Sequence, residues 1–524
     1  MFRVFSIIFF GFLLCIISFA QQSNSTFSRK FTIFKEKNIH KINSDVHSII
    51  KPYLLSNLDS TFTSFSGSWF DRKWSKEHFF QVKSEDYTLI VNPIVNLMIG
   101  VENNSEKTVW NNTRGIIADG KLGDRFTYYA SFLENQSVFP SYITDKIVQK
   151  SAWIVPGQGE SRWSPDSTFD YSMASGHLSY RLSKFTDFQF GTGKNFIGDG
   201  YRSMILSDNS FNYPYLRIQT KVGVFQYTNF YMEHMDLISN PSEQFIYDKK
   251  YMTLHHLSAN VSKRLNIGIF ESIVWENRRN PEISGFDIAY LNPIIFLRPV
   301  EYSLNSSDNA LMGLNWKFKS TNNSHIYGQF VIDEFSQPAL SSGEKWWGNK
   351  YSYQIGGKYF DAFSIKNLIL QLENNSARPY TYSHHNSSQN YGHYYQPLAH
   401  PLGANFAESL FFIDYKINKW ETHFFFMKAR YGGKIKNDPT SYGNDIFVSN
   451  TERPSDYGIE MFQGNKTNIY FSKFTVSYLF NSKTNLKLEM GLINRMLNDE
   501  YEKSKTNFIF FALKTDLFNR YYDF

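Results

Sequence analysis

The sequence predicts an all-β chain folded as a transmembrane antiparallel β-barrel of the outer-membrane type. Three observations carry this: an apolar leader at the N-terminus, a period-two alternation of apolar and polar residues over roughly four hundred residues, and 18% aromatic residues in a chain whose mean hydropathy is −0.39. Lipid on one side of each strand and a wet lumen on the other select for that mixture, rich in Tyr, Phe and Trp yet polar overall. A soluble, aromatic-rich β protein is the competing reading, because its strands also have a wet side.

The leader begins Met1-Phe2-Arg3, runs apolar from Val4 to Phe19 and ends Ser18-Phe19-Ala20 before the polar pair Gln21-Gln22. Residues 1–20 therefore read as a cleavable signal peptide, with Gln21 as the first mature residue. An uncleaved helical anchor is the alternative, since the apolar stretch is long enough to span a bilayer. Cys15, the single cysteine, lies inside the leader and follows Leu13-Leu14 rather than the small residue that lipid attachment favours. The mature chain then has no disulfide, thiolate metal site or cysteine nucleophile, which favours a bacterial envelope protein over a eukaryotic secreted one. No run of eighteen apolar residues follows the leader, so no transmembrane helix is expected. The formal charge of +6 is spread along the chain, and nucleic acid is not an expected partner.

Residues 21–85 are polar and rich in Ser, Asn and Lys, and read as an N-terminal periplasmic or lumenal segment. Its helix-compatible stretch is His47 to Leu58, with Ile49, Ile50, Tyr53, Leu54 and Leu58. Residues 86–524 read as the barrel. Phe126, Tyr128, Ala130 and Phe132 share one strand face; Leu178, Tyr180 and Leu182 share another, and so do Ala310, Met312, Leu314, Trp316 and Phe318. The sets Leu368, Leu370, Leu372 and Leu486, Leu488, Met490, Leu492 repeat the pattern. Tyr351-Ser352-Tyr353, Phe424-Phe425-Phe426 and Tyr521-Tyr522 suit aromatic girdles. The last strand is expected to reach the terminus with Phe518, Tyr522 and Phe524 on one face. About 10 residues per strand give about 16–20 strands, with long loops at Asn277–Gly285, Asn374–Ala404 and Gly432–Asn468. Closure explains how so many strands avoid exposed edges.

The most distinctive stretch is Phe190-Gly191-Thr192-Gly193-Lys194-Asn195-Phe196-Ile197-Gly198-Asp199-Gly200-Tyr201-Arg202-Ser203, followed by Leu206-Ser207-Asp208-Asn209. A phosphate-loop reading fails, because Asn195 rather than Ser or Thr follows Lys194, and Phe188 stands where the first glycine belongs. Local physics favours a tight glycine-rich turn between strands, where positive φ or close backbone approach is needed.

The run from Gly191 to Asp208, with Asn195, Gly198, Gly200, Arg202 and Ser203 in this order, resembles the central motif of the Wzi-type capsule-assembly barrels. Two further stretches agree: Tyr290-Leu291-Asn292-Pro293 through Arg298-Pro299-Val300-Glu301 to Asp308-Asn309-Ala310-Leu311, and Arg378-Pro379-Tyr380-Thr381-Tyr382 through Pro397 to His400-Pro401-Leu402-Gly403. The similarity spans residues 50–524, and among the family's branches it is greatest to the RemB-like gliding-motility branch of Bacteroidetes. The resemblance implies an outer-membrane barrel of about eighteen strands, partly occluded by helical or loop elements, with a polysaccharide-binding role at the cell surface. It implies as partners outer-membrane lipid, surface polysaccharide and other motility or envelope proteins.

Sugars bind through aromatic faces and planar hydrogen-bonding groups. Asp199, Tyr201, Arg202, Asp208, Arg298, Glu301 and Asp308 are the candidate polysaccharide-binding residues, with Tyr290 and Tyr302 beside them. The alternative for each charge is an internal ion pair that holds a plug or loop in the lumen. Glycosidase chemistry would need a carboxylate pair such as Asp199 with Asp208 or Glu271 with Glu276, and sequence spacing fixes no such separation. His384, His385, His393 and His400 form a histidine-rich loop without metal-site spacing, so neither metal nor cofactor is expected. A non-catalytic glycan-binding barrel is the expected function; a glycan-processing enzyme and a passive porin are the alternatives.

Overall fold

The protein is described by a computed structural model covering residues 24–58, 68–103, 105, 107–149, 153–164, 167–237, 247–280, 283–294 and 308–524. The predicted leader lies outside these residues. Among them, eighteen long strands close on themselves, every neighbouring pair antiparallel. In chain order they are β1 (Tyr87–Glu102), β2 (Thr108–Leu122), β3 (Phe126–Val138), β4 (Phe169–Arg181), β5 (Thr186–Gly193) and β6 (Tyr213–Val222). There follow β7 (Phe225–Asp236), β8 (Asp248–Asn260), β9 (Leu265–Glu276), β10 (Asn309–Lys319), β11 (Ser324–Glu334) and β12 (Lys350–Phe360). The set ends with β13 (Leu368–Ala377), β14 (Phe406–Ile417), β15 (Trp420–Gly433), β16 (Asn465–Asn481), β17 (Leu486–Asn498) and β18 (Lys503–Lys514). Pairing of β18 with β1, Phe508 opposite Glu102 through Lys514 opposite Asn96, closes the ring. Closure leaves no strand edge, so wall backbone groups find partners within the sheet.

The alternation read from the sequence is the alternation of the two wall faces. Leu97, Ile99, Val101, Ile116, Phe132, Leu372, Met490 and Phe511 point outward and stay exposed, Leu372 to 62%. Alternate wall positions such as Asn315, Lys317, Lys319, Gln371, Glu373, Lys487 and Glu489 point inward and are buried. An oily exterior around a charged, buried interior is the inverse of a soluble protein and the arrangement lipid selects. Tyr353 and Phe426 stand on the outer face as the girdle reading expects.

The short connections lie at one end of the barrel, as at Gly123, Gly223 and Asn418, all with positive φ; we call this the turn end. The opposite, loop end carries the long connections 139–168, 194–212, 378–405 and 434–464. Strand β13 runs through Asn374–Ala377, and β15 and β16 include Gly432 and Asn465–Asn468, so both predicted loops are shorter than expected.

The lumen is filled by three elements. Residues 24–58 enter it and are tied to the wall by Arg29 to Asp414 at 2.7 Å, Lys30 to Glu489 at 2.8 Å and Glu36 to Lys358 at 3.0 Å. The stretch His47–Leu58 is not the expected helix: Ile50-Lys51 pairs as a strand with Phe196-Ile197, and only Leu55–Leu58 forms a 3₁₀ turn. Pro52 sits mid-stretch, where it would break a helix. The loop 194–212 enters from the loop end. The third element corrects an expectation, because β18 stops at Lys514 and the final residues turn inward at Asp516, whose φ is 40°. Tyr521, Tyr522 and Phe524 therefore face the lumen rather than a girdle, and Tyr521 and Phe524 are each 5% exposed. Lys514 binds Asp516 at 3.3 Å and Glu489 at 2.7 Å, ion pairs that hold the start of the inward turn.

Candidate functional site

The glycine-rich motif is a loop that crosses the lumen rather than a tight turn. Its limbs meet where the Ile197 N–H donates to the Leu206 carbonyl at 2.8 Å, and Gly198 donates to Ile49 of the N-terminal segment at 2.7 Å. The tip rests on side chains that strands β11 to β14 present at inward positions. Glu373 accepts the backbone N–H groups of Tyr201 and Arg202 at 2.8 and 2.9 Å, and Gln329 accepts that of Met204 at 2.7 Å. Gly200 is required by proximity and not by φ: a Cβ there would lie 2.5 Å from the Glu373 carboxylate and 2.9 Å from the Arg202 carbonyl.

Four candidate residues lie on this loop, each engaged with a protein partner. The Arg202 guanidinium, 2% exposed, donates to Glu408 at 3.1 Å and to Asp523 at 2.8 Å, and it packs over the rings of Tyr201 and Tyr521. Tyr201 donates its hydroxyl to Asp523 at 3.2 Å and packs on Phe412 and Phe425. Asp199 accepts from Ser48 at 2.5 Å and lies 3.5 Å from the Lys317 ammonium. Burial pushes its carboxyl up, but Lys317, with His40, the Ser48 hydroxyl and Lys51, together outweigh this and hold it at about 2. Asp208 accepts from Tyr521 at 2.7 Å and Asn519 at 2.8 Å, which joins the loop to the C-terminal residues. Asp308 sits apart, accepting from Tyr290 at 2.6 Å and Gln389 at 3.1 Å. Arg298, Glu301 and Tyr302 lie outside the described residues.

These groups are arranged as the alternative reading anticipates, as internal fasteners of a filled lumen. The sequence reading missed their partners Glu408, Asp523 and Lys317 as a set. The available signal was an acidic or basic residue at an inward period-two position, as Glu408 and Lys317 are. The carboxylates Asp199 and Asp208 serve separate partners, and Glu276 accepts from Asn386 at 3.0 Å. Of the histidine-rich loop, His400 binds Glu408 at 2.9 Å, His393 lies against His234, and His384 packs on His385. Among the described residues no group of His, Cys, Asp and Glu is placed to hold a metal ion.

A different surface faces the solvent at the loop end. A cleft of roughly 210 Å³ opens among the loops, with Tyr395, Phe447, Pro397, Pro401 and Leu402 on its walls and Tyr521 and Phe524 at its floor. The rings of Tyr395 and Phe447 lie 4.8 Å apart at 30°. Lys146, Asn209 and the exposed Asp445 stand among its lining residues, and the Lys146 ammonium sits 3.5 Å over the Phe524 ring. Flat apolar rings beside polar hydrogen-bonding groups suit a molecule with one apolar and one hydroxylated face.

A closed wall with an oily exterior, a filled lumen and long loops gathered at one end defines a transmembrane β-barrel of the outer-membrane class. No protein-family model matches the chain, and no curated protein matches it in sequence. Among solved structures it superposes on Wzi of Escherichia coli, a carbohydrate-binding β-barrel of the outer membrane involved in group 1 capsule assembly. That match has a TM-score of 0.53 and 11% identity, over 94% of this chain and 99% of the other. The fold is thus Wzi-like. OprD of Pseudomonas aeruginosa superposes with a TM-score of 0.43 and 8% identity over 82% of this chain and 94% of the other. OccAB4 of Acinetobacter baumannii gives 0.43 and 10% over 82% and 98%.

Proposed function

We propose that this protein is a non-catalytic outer-membrane barrel that holds surface polysaccharide at its loop end, and that the loop end faces the cell exterior. One observation carries the reading: the mouth of the barrel is a floored cleft with ring faces and polar groups. Its floor consists of the inward-turned C-terminal residues and its walls of four long loops, so it is built to seat a ligand. The carbohydrate binding recorded for Wzi supports the ligand class. The sequence resemblance further supports a role in capsule or exopolysaccharide attachment and in gliding motility, with other envelope proteins as partners. In this reading the motif residues Asp199, Tyr201, Arg202 and Asp208 act on the glycan indirectly, by setting the floor and loops of the cleft.

The test is retention of the purified, detergent-solubilised protein on immobilised extracellular polysaccharide. Tyr395→Ala with Phe447→Ala should lower affinity at least about tenfold while leaving the heat-modifiable gel migration of the barrel unchanged. Reducing-end release from the glycan would overturn the non-catalytic assignment. Unaltered retention of the double variant would overturn the site.

A further inference from the structure

The lumen has a second cavity, deep inside the wall and distinct from the loop-end cleft. It has a volume of roughly 240 Å³ and lies between strands β14 to β18 and β1 on one side and the C-terminal residues Phe518, Tyr521 and Tyr522 on the other. Its wall departs from the rule that lumenal faces are polar. One cross-strand register row runs Phe412, Phe425, Lys473, Ile493, Phe508 across five consecutive strands, and Phe510 and Phe471 extend the same apolar face. Lys473 is the one polar member of that row. Among the described residues its ammonium makes no ion pair or hydrogen bond, and it lies 5.9 Å from the centroid of the Phe510 ring.

Neighbouring charges leave it without a counter-ion. Glu489 is taken by Lys30 at 2.8 Å and Lys514 at 2.7 Å; Asp516 lies 3.3 Å from Lys514 and 3.5 Å from Lys487; Glu421 is held by Lys416 at 2.7 Å. Asp523, the remaining carboxylate that acts on Lys473, is held by Arg202 at 2.8 Å. Lys473 is half-buried and lines the cavity, where an ammonium partly withdrawn from water favours an anionic partner, and the volume exceeds the roughly 150 Å³ that admits a benzene-sized molecule.

We propose that this cavity binds a small organic carboxylate with an apolar body, its carboxylate on Lys473 and its body against Phe412, Phe425, Phe508 and Phe510. The proposal is independent of the polysaccharide reading, since it concerns a different cavity. A saturated acyl chain and a phenylalkyl group both supply the required body.

The full chain, reconstituted in nanodiscs, would be titrated by equilibrium dialysis with decanoate, 3-phenylpropionate and the neutral decanol. Saturable binding is expected for at least one of the two acids, and the tighter acid identifies the body. Decanoate or 3-phenylpropionate should bind about tenfold or more tightly than decanol, as a charge-assisted contact implies. Lys473→Met should remove that preference, because it deletes the ammonium and keeps most of the side-chain length. Ala512→Phe, which places a ring in the cavity, should abolish binding of acid and alcohol alike. Both variants would first be checked for heat-modifiable migration; if Ala512→Phe fails to assemble, Lys473→Met decides alone. Absence of saturable acid binding by the wild-type chain overturns the proposal. So does an acid preference that survives Lys473→Met, which would place the ligand elsewhere.

Discussion

Replacing Arg202 by Met should release the motif loop from its seat while leaving the barrel wall intact. The guanidinium is 2% exposed and is shared by two buried carboxylates, Glu408 at 3.1 Å and Asp523 at 2.8 Å. Methionine fills much of the same volume, so the main loss is electrostatic. Breaking a buried pair from one side costs about 3–5 kcal/mol, because it strands the remaining charge. The loss is at the low end here, since Glu408 keeps His400 at 2.9 Å and Asp523 keeps the Tyr201 hydroxyl at 3.2 Å. About 3 kcal/mol shifts the docking equilibrium on the order of a hundredfold. The assay is maleimide labelling of a cysteine placed at Ile205, which is 1% exposed, in a Cys15→Ser background. The labelling rate should rise about a hundredfold in the Arg202→Met chain, with heat-modifiable migration retained. Adding Glu408→Gln and Asp523→Asn should restore most of the protection, because neutral partners no longer need the cation. An unchanged labelling rate, or no rescue by the neutral pair, would refute the assignment of Arg202 as the fastener of this loop.

Gly200→Ala should produce the same release without touching a charge, since its Cβ would lie 2.5 Å from the Glu373 carboxylate; overpacking of this kind costs about 1–3 kcal/mol, and the same labelling assay reports it. The Asp199 carboxyl is held at about 2, below its ordinary 3.8. Its contribution is thus complete above the ordinary value and is lost as pH falls from about 4 towards 2. Acid-induced exposure of the cysteine at Ile205, read with a pyridyl disulfide that stays reactive in acid because its ring is protonated, should therefore begin in that window, and Asp199→Asn should flatten it. Arg29→Met with Lys30→Met removes the 2.7 Å and 2.8 Å ties to Asp414 and Glu489; planar-bilayer conductance should rise above that of the wild-type barrel, and an identical current would show that other contacts hold the segment. Leu372→Arg on the outer wall, 62% exposed, should cost about 2–4 kcal/mol of membrane stability if it lies near the bilayer midplane, measured by urea titration in liposomes; a neutral effect there would contradict a lipid-facing surface.

The wall was legible in the sequence because a strand's two faces are a local property. Residues two apart share a face whatever the rest of the chain does, so Leu368, Leu370 and Leu372 disclose their orientation unaided. The contents of the lumen were not legible in this way. The motif glycines marked a place where backbone comes close to something, yet only the assembled barrel shows that Gly200 approaches Glu373. The terminal aromatics likewise carried the pattern of a last strand, and the ion pairs around Asp516 turned them inward.

From its own residues, then, this chain determines a closed sheet with an oily outside and a polar inside. Tertiary structure alone decided which inward groups meet: Arg202 finds Asp523 across 321 residues, and Arg29 finds Asp414 across 385. The reason is geometric. Strand alternation repeats every two residues and leaves a trace in the sequence, whereas ion pairs across a lumen depend on strand register and closure, which bring distant segments together without any period to announce it.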